Sequence, residues 1–282
     1  MKSDLVLLGI DGVGKSTIAI ALRDRLIEMG HDAVITSWSS ASKTHPDDFA
    51  RGCMGDALFT AFRCMYAQAR TANGTAQHLF PPAAADFFRH ETLHGQFLDL
   101  AVVDNQAWGL LAGALTEIAG NFMHRYMDVV PKLQAGKIVI QETFGLKHLV
   151  KDLYLAKTVA EKNGNLEFLP LISKLEELGE TIYSKVLAPE MGIVVDGDPD
   201  IAIDRRMAQD GRAGWTEDMQ LAGDPGVHSF RHMQHHTRRV FLDYANRKHW
   251  PVLTITNEGK EASVKRSVEM IVSALASDSL AA

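Results

Sequence analysis

The sequence predicts an α/β fold in which about five parallel strands are covered on both faces by helices. Three observations predict it. Short apolar runs recur along the chain: DLVLLGI (4–10), HDAVITSW (31–38), KIVIQ (137–141), GIVVDG (192–197) and PVLTIT (251–256). The first, third and fourth are too short for helices and too uniformly apolar for strands with a wet face, which is the pattern of a parallel sheet. Helical periodicity fills the gaps between the runs, so strand and helix alternate.

The first strand leads into KSTIAIALRDRLIEM (15–29), where Ile18, Ala21, Leu22, Leu26 and Met29 share one face and Gly30 stops the helix. With HDAVITSW this makes a βαβ unit. Residues 39–120 contain no convincing strand, but DALFTAFRCMYAQA and FLDLAVVDNQAWGLLAGALTEIAG are helical in pattern and are separated around Pro81 and Pro82. Residues 121–135 and 145–190 also read as helical, and EASVKRSVEMIVSAL closes the chain as a helix. With no internal repeat and no linker, the expectation is one domain over 1–282, with a helical insertion at about 39–120.

Composition narrows the class. The 282 residues are 46% hydrophobic and 23% charged, with 29 basic against 35 acidic side chains and a net charge of -6. That balance provides no global field for nucleic acid or an anionic membrane; a DNA partner is disfavoured, though a local basic groove stays open. No apolar run approaches the roughly 20 residues of a membrane span. LVLLGI is too short for a signal peptide. Cys53 and Cys64 fit neither a disulfide framework nor a zinc spacing, so the expected location is the reducing cytoplasm.

Between the first strand and the first helix lies Gly9-Ile10-Asp11-Gly12-Val13-Gly14-Lys15-Ser16, followed by Thr17. It fits G-x-x-x-x-G-K-[ST] in the strand–turn–helix context that such a phosphate-binding loop requires. Glycines let backbone N–H groups converge on phosphate oxygens, and the helix N-terminus adds a favourable dipole. Lys15 would reach the β- and γ-phosphates and Ser16 would ligate Mg²⁺, so ATP and Mg²⁺ are the expected substrate and cofactor. No N-K-x-D stretch for guanine is present.

Three blocks around this loop resemble the thymidylate kinase family of nucleoside and nucleotide kinases. They are LLGIDGVGKSTIAIAL, VVPKLQAGKIVIQETF and LAPEMGIVVDGDPDIAIDRRMAQDGR, and with the last strand and helix they span about half the chain. The resemblance implies a P-loop kinase fold, an acidic third loop residue (Asp11), and a strand-end acid (Glu142) beside the metal and the transferring phosphate. It also implies an arginine-bearing lid at about 205–228, with Arg205, Arg206 and Arg212 as candidates to stabilise the transferring group. Closure of such a segment would exclude water. The alternative for these arginines is a solvated helix face.

The acceptor side departs from the family. Its strand-end Asp-Arg-Tyr is here Glu142-Thr143-Phe144, and its base-reading arginine is replaced by Phe122, with His124 and Arg125 nearby. The acidic-proline turn after the second strand is SWSS, containing Trp38. A monophosphate acceptor needs fixed cations, which Thr143 cannot supply. Either Arg125, Arg63 or Arg89 supplies one, or the acceptor is an uncharged alcohol with Glu142 as general base and Asp11 orienting a hydroxyl or helping to hold Mg²⁺. Trp38, Phe122 and Phe144 would stack on a flat acceptor or belong to the core. His228, His232, His235 and His236 have ligand-like helical spacing, but their basic, amphipathic setting favours a solvated face over zinc.

The function expected is phosphoryl transfer from ATP to a nucleoside-like or other small hydroxylated acceptor. The alternatives are a true thymidylate or other nucleoside monophosphate kinase, a kinase for a modified base in DNA, and a nucleotide-gated regulatory ATPase without an acceptor. A homodimer remains open.

Overall fold

The structure, a computed structural model, describes residues 2–71, 73–89, 102–211, 228–256 and 259–277. The five apolar runs become β1 (Asp4–Leu8), β2 (Ala33–Thr36), β5 (Ile138–Gln141), β6 (Met191–Asp196) and β7 (Val252–Thr254). They form one all-parallel sheet in the order β2-β5-β1-β6-β7. Asp4 pairs with Val139 on one side of β1, and Leu5 pairs with Met191 on the other.

Strand alternation divides the core into two layers. Leu5 and Leu7 of β1 face the first layer, packing with Ile18, Leu22 and Leu26 of α1 (Lys15–Glu28) and with Val268, Ile271 and Leu275 of the C-terminal helix Lys260–Ser277. Val6 and Leu8 face the second layer. There they meet the helices Asp48–Tyr66, Ala107–His124, Leu146–Asn163 and His228–Lys248 through Phe59, Leu110, Leu149 and Phe241. A strand covered on both faces is pressed toward apolar residues, which is why the four residues of β1 other than Asp4 are aliphatic and all five are buried.

Several expectations shift. The β2 run stops at Thr36, because Ser37 caps a short helix, Trp38–Thr44, with its hydroxyl accepting from the Ser40 N–H at 3.1 Å. The helical pattern written over 97–120 begins as helix only at Ala107, its first residues lying outside those described. Asp104 instead bridges to Arg70, in a two-residue hairpin of Arg70–Thr71 with Gly74–Thr75 that the sequence did not announce. Gly74, at φ 111°, supplies the left-handed backbone the reversal needs. The helix expected over 121–135 is interrupted by a π-helical turn, Arg125–Val129, before Val130–Gln134. Pro131 has no N–H to return to the carbonyl of Met127, and the wider turn absorbs that loss.

The topology marks one place on the sheet. From β1 the chain crosses to β2 on one side, whereas from β5 it crosses to β6 on the other. The crevice at the C-terminal ends of β1 and β5 therefore lies where the winding reverses, the position at which open α/β sheets bind ligands. Among the described residues no helix is long and apolar enough to cross a membrane.

Candidate functional site

The turn leaving β1 is shaped by its glycines. A Cβ on Gly9 would stand 2.4 Å from the carbonyl oxygen of Val195, so only glycine lets the loop turn over β6. Gly12 and Gly14 hold φ values of 77° and 103°, and none of the described residues lies within 4 Å of where a Gly14 Cβ would project. Gly14 is also the N-cap of α1 and offers no side chain to its first-turn amides, and no acidic residue occupies that turn. The result is a bare helix N-terminus beside an open concavity.

Lys15 opens the helix with its ammonium folded back to donate to the Ile10 carbonyl at 2.7 Å. Burial, reinforced by the neighbouring charge of Lys147, brings its pKa down to about 7. One residue on, the Ser16 hydroxyl donates to a carboxylate oxygen of Glu142. Glu142 is the first residue beyond β5, and its N–H donates to Thr36 O at 3.1 Å. The loop hydroxyl and the strand-end acid thus meet at the crevice where the winding reverses.

Asp11 is engaged inside the protein. Its carboxylate accepts from Lys147 and, at 3.1 Å, from Lys151, both buried on the helix Leu146–Asn163 that follows β5. Gln234 closes the cluster: its amide donates to Asp11 Oδ2 at 3.0 Å and accepts the Asp11 N–H at 3.0 Å. Burial alone would raise the Asp11 pKa, but the Lys147, Lys151 and Lys15 ammonium groups outweigh it and hold the carboxyl well below its usual range. No sequence signal was read for Lys147, Lys151 or Gln234. The available signal was the i, i+4 spacing of the two lysines in register with Leu155 on the buried face of that helix.

Residues offered for the acceptor side are dispersed. Arg125 binds Asp4, at the start of β1, about 13 Å of strand away from the loop. Trp38 is buried, donating its indole N–H to Met54 O at 3.0 Å and lying where a Gly120 Cβ would project. Phe144 is 2% exposed and packs edge-on to Tyr183 at 5.3 Å, in the core rather than at an opening. Phe122 stacks on Tyr126 at 6.3 Å. Thr143 is half-buried beside Glu142. Arg63 lies over the Phe59 ring at 5.5 Å, and the Arg89 side chain is outside the description.

On the other flank of the loop, the helix Pro199–Asp210 comes so close that a Gly12 Cβ would meet Ala202 O at 2.7 Å and the Arg206 stem at 3.0 Å. The Arg206 guanidinium rests over Phe230 at 5.5 Å. Arg205 lines a cavity of about 370 Å³ with Gly12, Val13, Gly14, Thr17 and Ser263, and the buried Ser263 hydroxyl has no hydrogen-bond partner among the described residues. Arg212 and the rest of the expected lid up to 227 lie outside the described residues. A larger cavity, about 760 Å³, opens at the N-terminal ends of β6 and β7 near Glu190 and Trp250, remote from this chemistry. Asp196 forms a two-bond ion pair with Arg238 at 2.6 and 2.8 Å.

A second polar cluster sits at the end of β2. Asp128, from the π-helical turn, accepts from Thr36 and Lys132, each at 2.5 Å, with His124 and His45 also facing it. Among the described residues no three His, Cys, Asp or Glu side chains converge to hold a metal, the histidines of 228–236 included. No protein-family model matches the chain, and no curated protein matches it as a relative.

Proposed function

We propose that the chain is a phosphotransferase with a P-loop kinase fold of the thymidylate-kinase-like kind. It would use MgATP as donor and a nucleoside-like or other small hydroxylated molecule as acceptor. The observation that carries this reading is the contact of Ser16 with Glu142 in the crevice between β1 and β5, one residue from a buried lysine. A hydroxyl and a carboxylate side by side are hard oxygen donors of the kind Mg²⁺ takes alongside water and phosphate oxygens. When bound, the ion would offset negative charge on the phosphates.

The protein's own groups divide the work as follows. Gly12 and Gly14 leave loop and helix amides free for phosphate oxygens, and Lys15 exchanges the Ile10 carbonyl for a phosphate oxygen. Glu142 holds the Ser16 hydroxyl, so its first role is on the metal side rather than as a base toward the acceptor. Arg205 or Arg206, carried to the loop by the helix Pro199–Asp210, is placed to neutralise the moving group. The cavity beside Arg205 and Ser263 is large enough for the donor's base, and the unmet Ser263 hydroxyl offers it a hydrogen bond.

A second reading, with a monophosphate as acceptor, has one specific observation on its side. Lys147 and Lys151 bring two cations to the crevice, so Thr143 in place of an arginine does not leave it without positive charge. The test is ADP release from MgATP with a panel of nucleosides, nucleoside monophosphates and DNA. A rise that depends on one acceptor class supports the kinase and names the class. Slow release indifferent to every acceptor would replace the reading with a regulatory ATPase.

A further inference from the structure

We infer that Lys147 is a second catalytic cation of this site: its ammonium leaves Asp11 when the donor binds and contacts the γ-phosphoryl group as it moves. The inference rests on the phosphotransferase reading and adds a residue to it.

The argument begins with charge. Three lysines, 15, 147 and 151, converge on one buried carboxylate, Asp11. Lys151 has company on its other side, where Glu117 lies within its electrostatic reach. Lys147 has Asp11 as its one carboxylate partner among the described residues, and it shares that partner with Lys151. Lys147 therefore meets its carboxylate in competition with a second cation, and a buried cation so placed gains from any further anion that joins it. A triphosphate in the adjacent loop is such an anion.

Geometry gives the same answer. Lys15 is the first residue of the helix after β1, and Lys147 is the second residue of the helix after β5. The two strands are neighbours in the sheet, so the two side chains enter the crevice from adjacent strand ends. After burial, the Lys147 charge is the strongest influence on Lys15. A lysine pivots on a flexible four-carbon stem, so the move from Asp11 to a phosphate oxygen needs no backbone change. Asp11, tied to Gln234 through both its N–H and its carboxylate, holds the cation ready and remains with Lys151 afterwards.

In the step itself, the bond from the γ-phosphorus to the oxygen bridging to ADP breaks and its electron pair stays on ADP. A bond forms to the acceptor oxygen, whose proton leaves to solvent when the acceptor is water or an alcohol. Charge builds on the equatorial and leaving oxygens during this exchange, and a nearby ammonium is worth most at that moment.

The test needs no knowledge of the acceptor. Wild-type protein, Lys147→Met and Lys147→Arg are titrated with MgADP, with MgATP and with MgADP plus aluminium fluoride, which mimics the moving phosphoryl group. Melting curves confirm folding of each variant. The expected result is near-equal binding of MgADP and MgATP by all three. The aluminium fluoride complex should weaken about 100-fold or more in Lys147→Met and recover in part in Lys147→Arg. Equal affinity of wild type and Lys147→Met for that complex overturns the inference and leaves the phosphotransferase reading standing, with Lys147 then gripping the acceptor or serving structure alone. If Lys147→Met does not fold, Lys147→Arg decides: the inference falls if it binds the aluminium fluoride complex and both nucleotides as wild type does. A wild-type protein that binds neither nucleotide overturns the reading itself.

Discussion

Replacing Gly9 by alanine tests the architecture beneath the site without any ligand. The added Cβ would sit 2.4 Å from Val195 O, well inside van der Waals contact, and the atom it meets is backbone. Val195 lies between β1 and β7 in the sheet and pairs with Leu253, so it cannot rotate away as a side chain would. Relief requires β1 and β6 to separate by several tenths of an ångström where both are completely buried. Overpacking of this kind costs about 1–3 kcal/mol. For a chain of this size each kcal/mol lowers the melting temperature by roughly 2–4 °C, so a fall of about 2–12 °C is expected. Gly52→Ala is the control of opposite sign: Gly52 lies within the helix Asp48–Tyr66 with nothing within 4 Å of its would-be Cβ. Alanine there should add about 0.5–1 kcal/mol. Thermal and urea unfolding of both variants against wild type, without nucleotide, reads the effect. Gly9→Ala melting at or above wild type would refute the claim that the loop turns over β6 at glycine-only distance.

Other predictions follow from the same geometry. With a Lys15 pKa of about 7 in the empty protein, the group is mostly neutral at pH 8 and must regain a proton to pair with phosphate. MgATP binding should take up close to one proton above pH 7 and weaken about tenfold per pH unit there, measured by calorimetry in buffers of different ionisation enthalpy. The same depressed pKa opposes folding below pH 7, and that cost is relieved as pH rises from 7 toward the unfolded lysine value. Ser16→Ala and Glu142→Gln should each raise the Mg²⁺ concentration needed for half-maximal ADP release at least tenfold, and unchanged Mg²⁺ dependence in both would separate this pair from the metal. Burial pushes the Asp128 carboxyl up, but hydrogen bonds from His124, Lys132 and Thr36 prevail and leave it depressed. Its stabilisation is therefore present above the unfolded value near 4 and lost as pH falls further; Asp128→Asn should destabilise by about 1–3 kcal/mol at pH 7 and flatten the acid limb of the stability curve. Phe144→Ala should cost about 3–5 kcal/mol in urea unfolding, since the ring is core; a stable variant with altered acceptor preference would return it to the acceptor site.

The parts of this molecule that could be read from the sequence are those set by short-range rules. A strand buried on both faces must be an unbroken apolar run, so DLVLL, IVIQ and MGIVVD announced themselves. The loop after β1 could be read because its glycines answer local demands, a positive φ at Gly12 and Gly14 and a close approach at Gly9. The aromatics could not be placed this way: Trp38, Phe122 and Phe144 have the same chemistry whether they line an opening or fill the core. Only the tertiary partners decide, and for Phe144 these are Tyr183 and Trp250. Arg125 was drawn away by Asp4, a residue whose position inside an apolar run gave no hint that it needed a cation.

The charged heart of the site was hidden for a related reason. Asp11 binds Lys147, 136 residues away, and Gln234, 223 residues away. Such pairs have no spacing to betray them, because the sheet order, not the chain, makes them neighbours. The one local trace was two lysines a helical turn apart, in line with the buried Leu155. A lysine buried on an apolar face is costly enough to need a reason, and here the Asp11 carboxylate supplies one. The resemblance put the acceptor's cation at position 143, where this chain has threonine. A positive charge lies instead four residues further on, at Lys147, paired with Asp11 of the loop after β1.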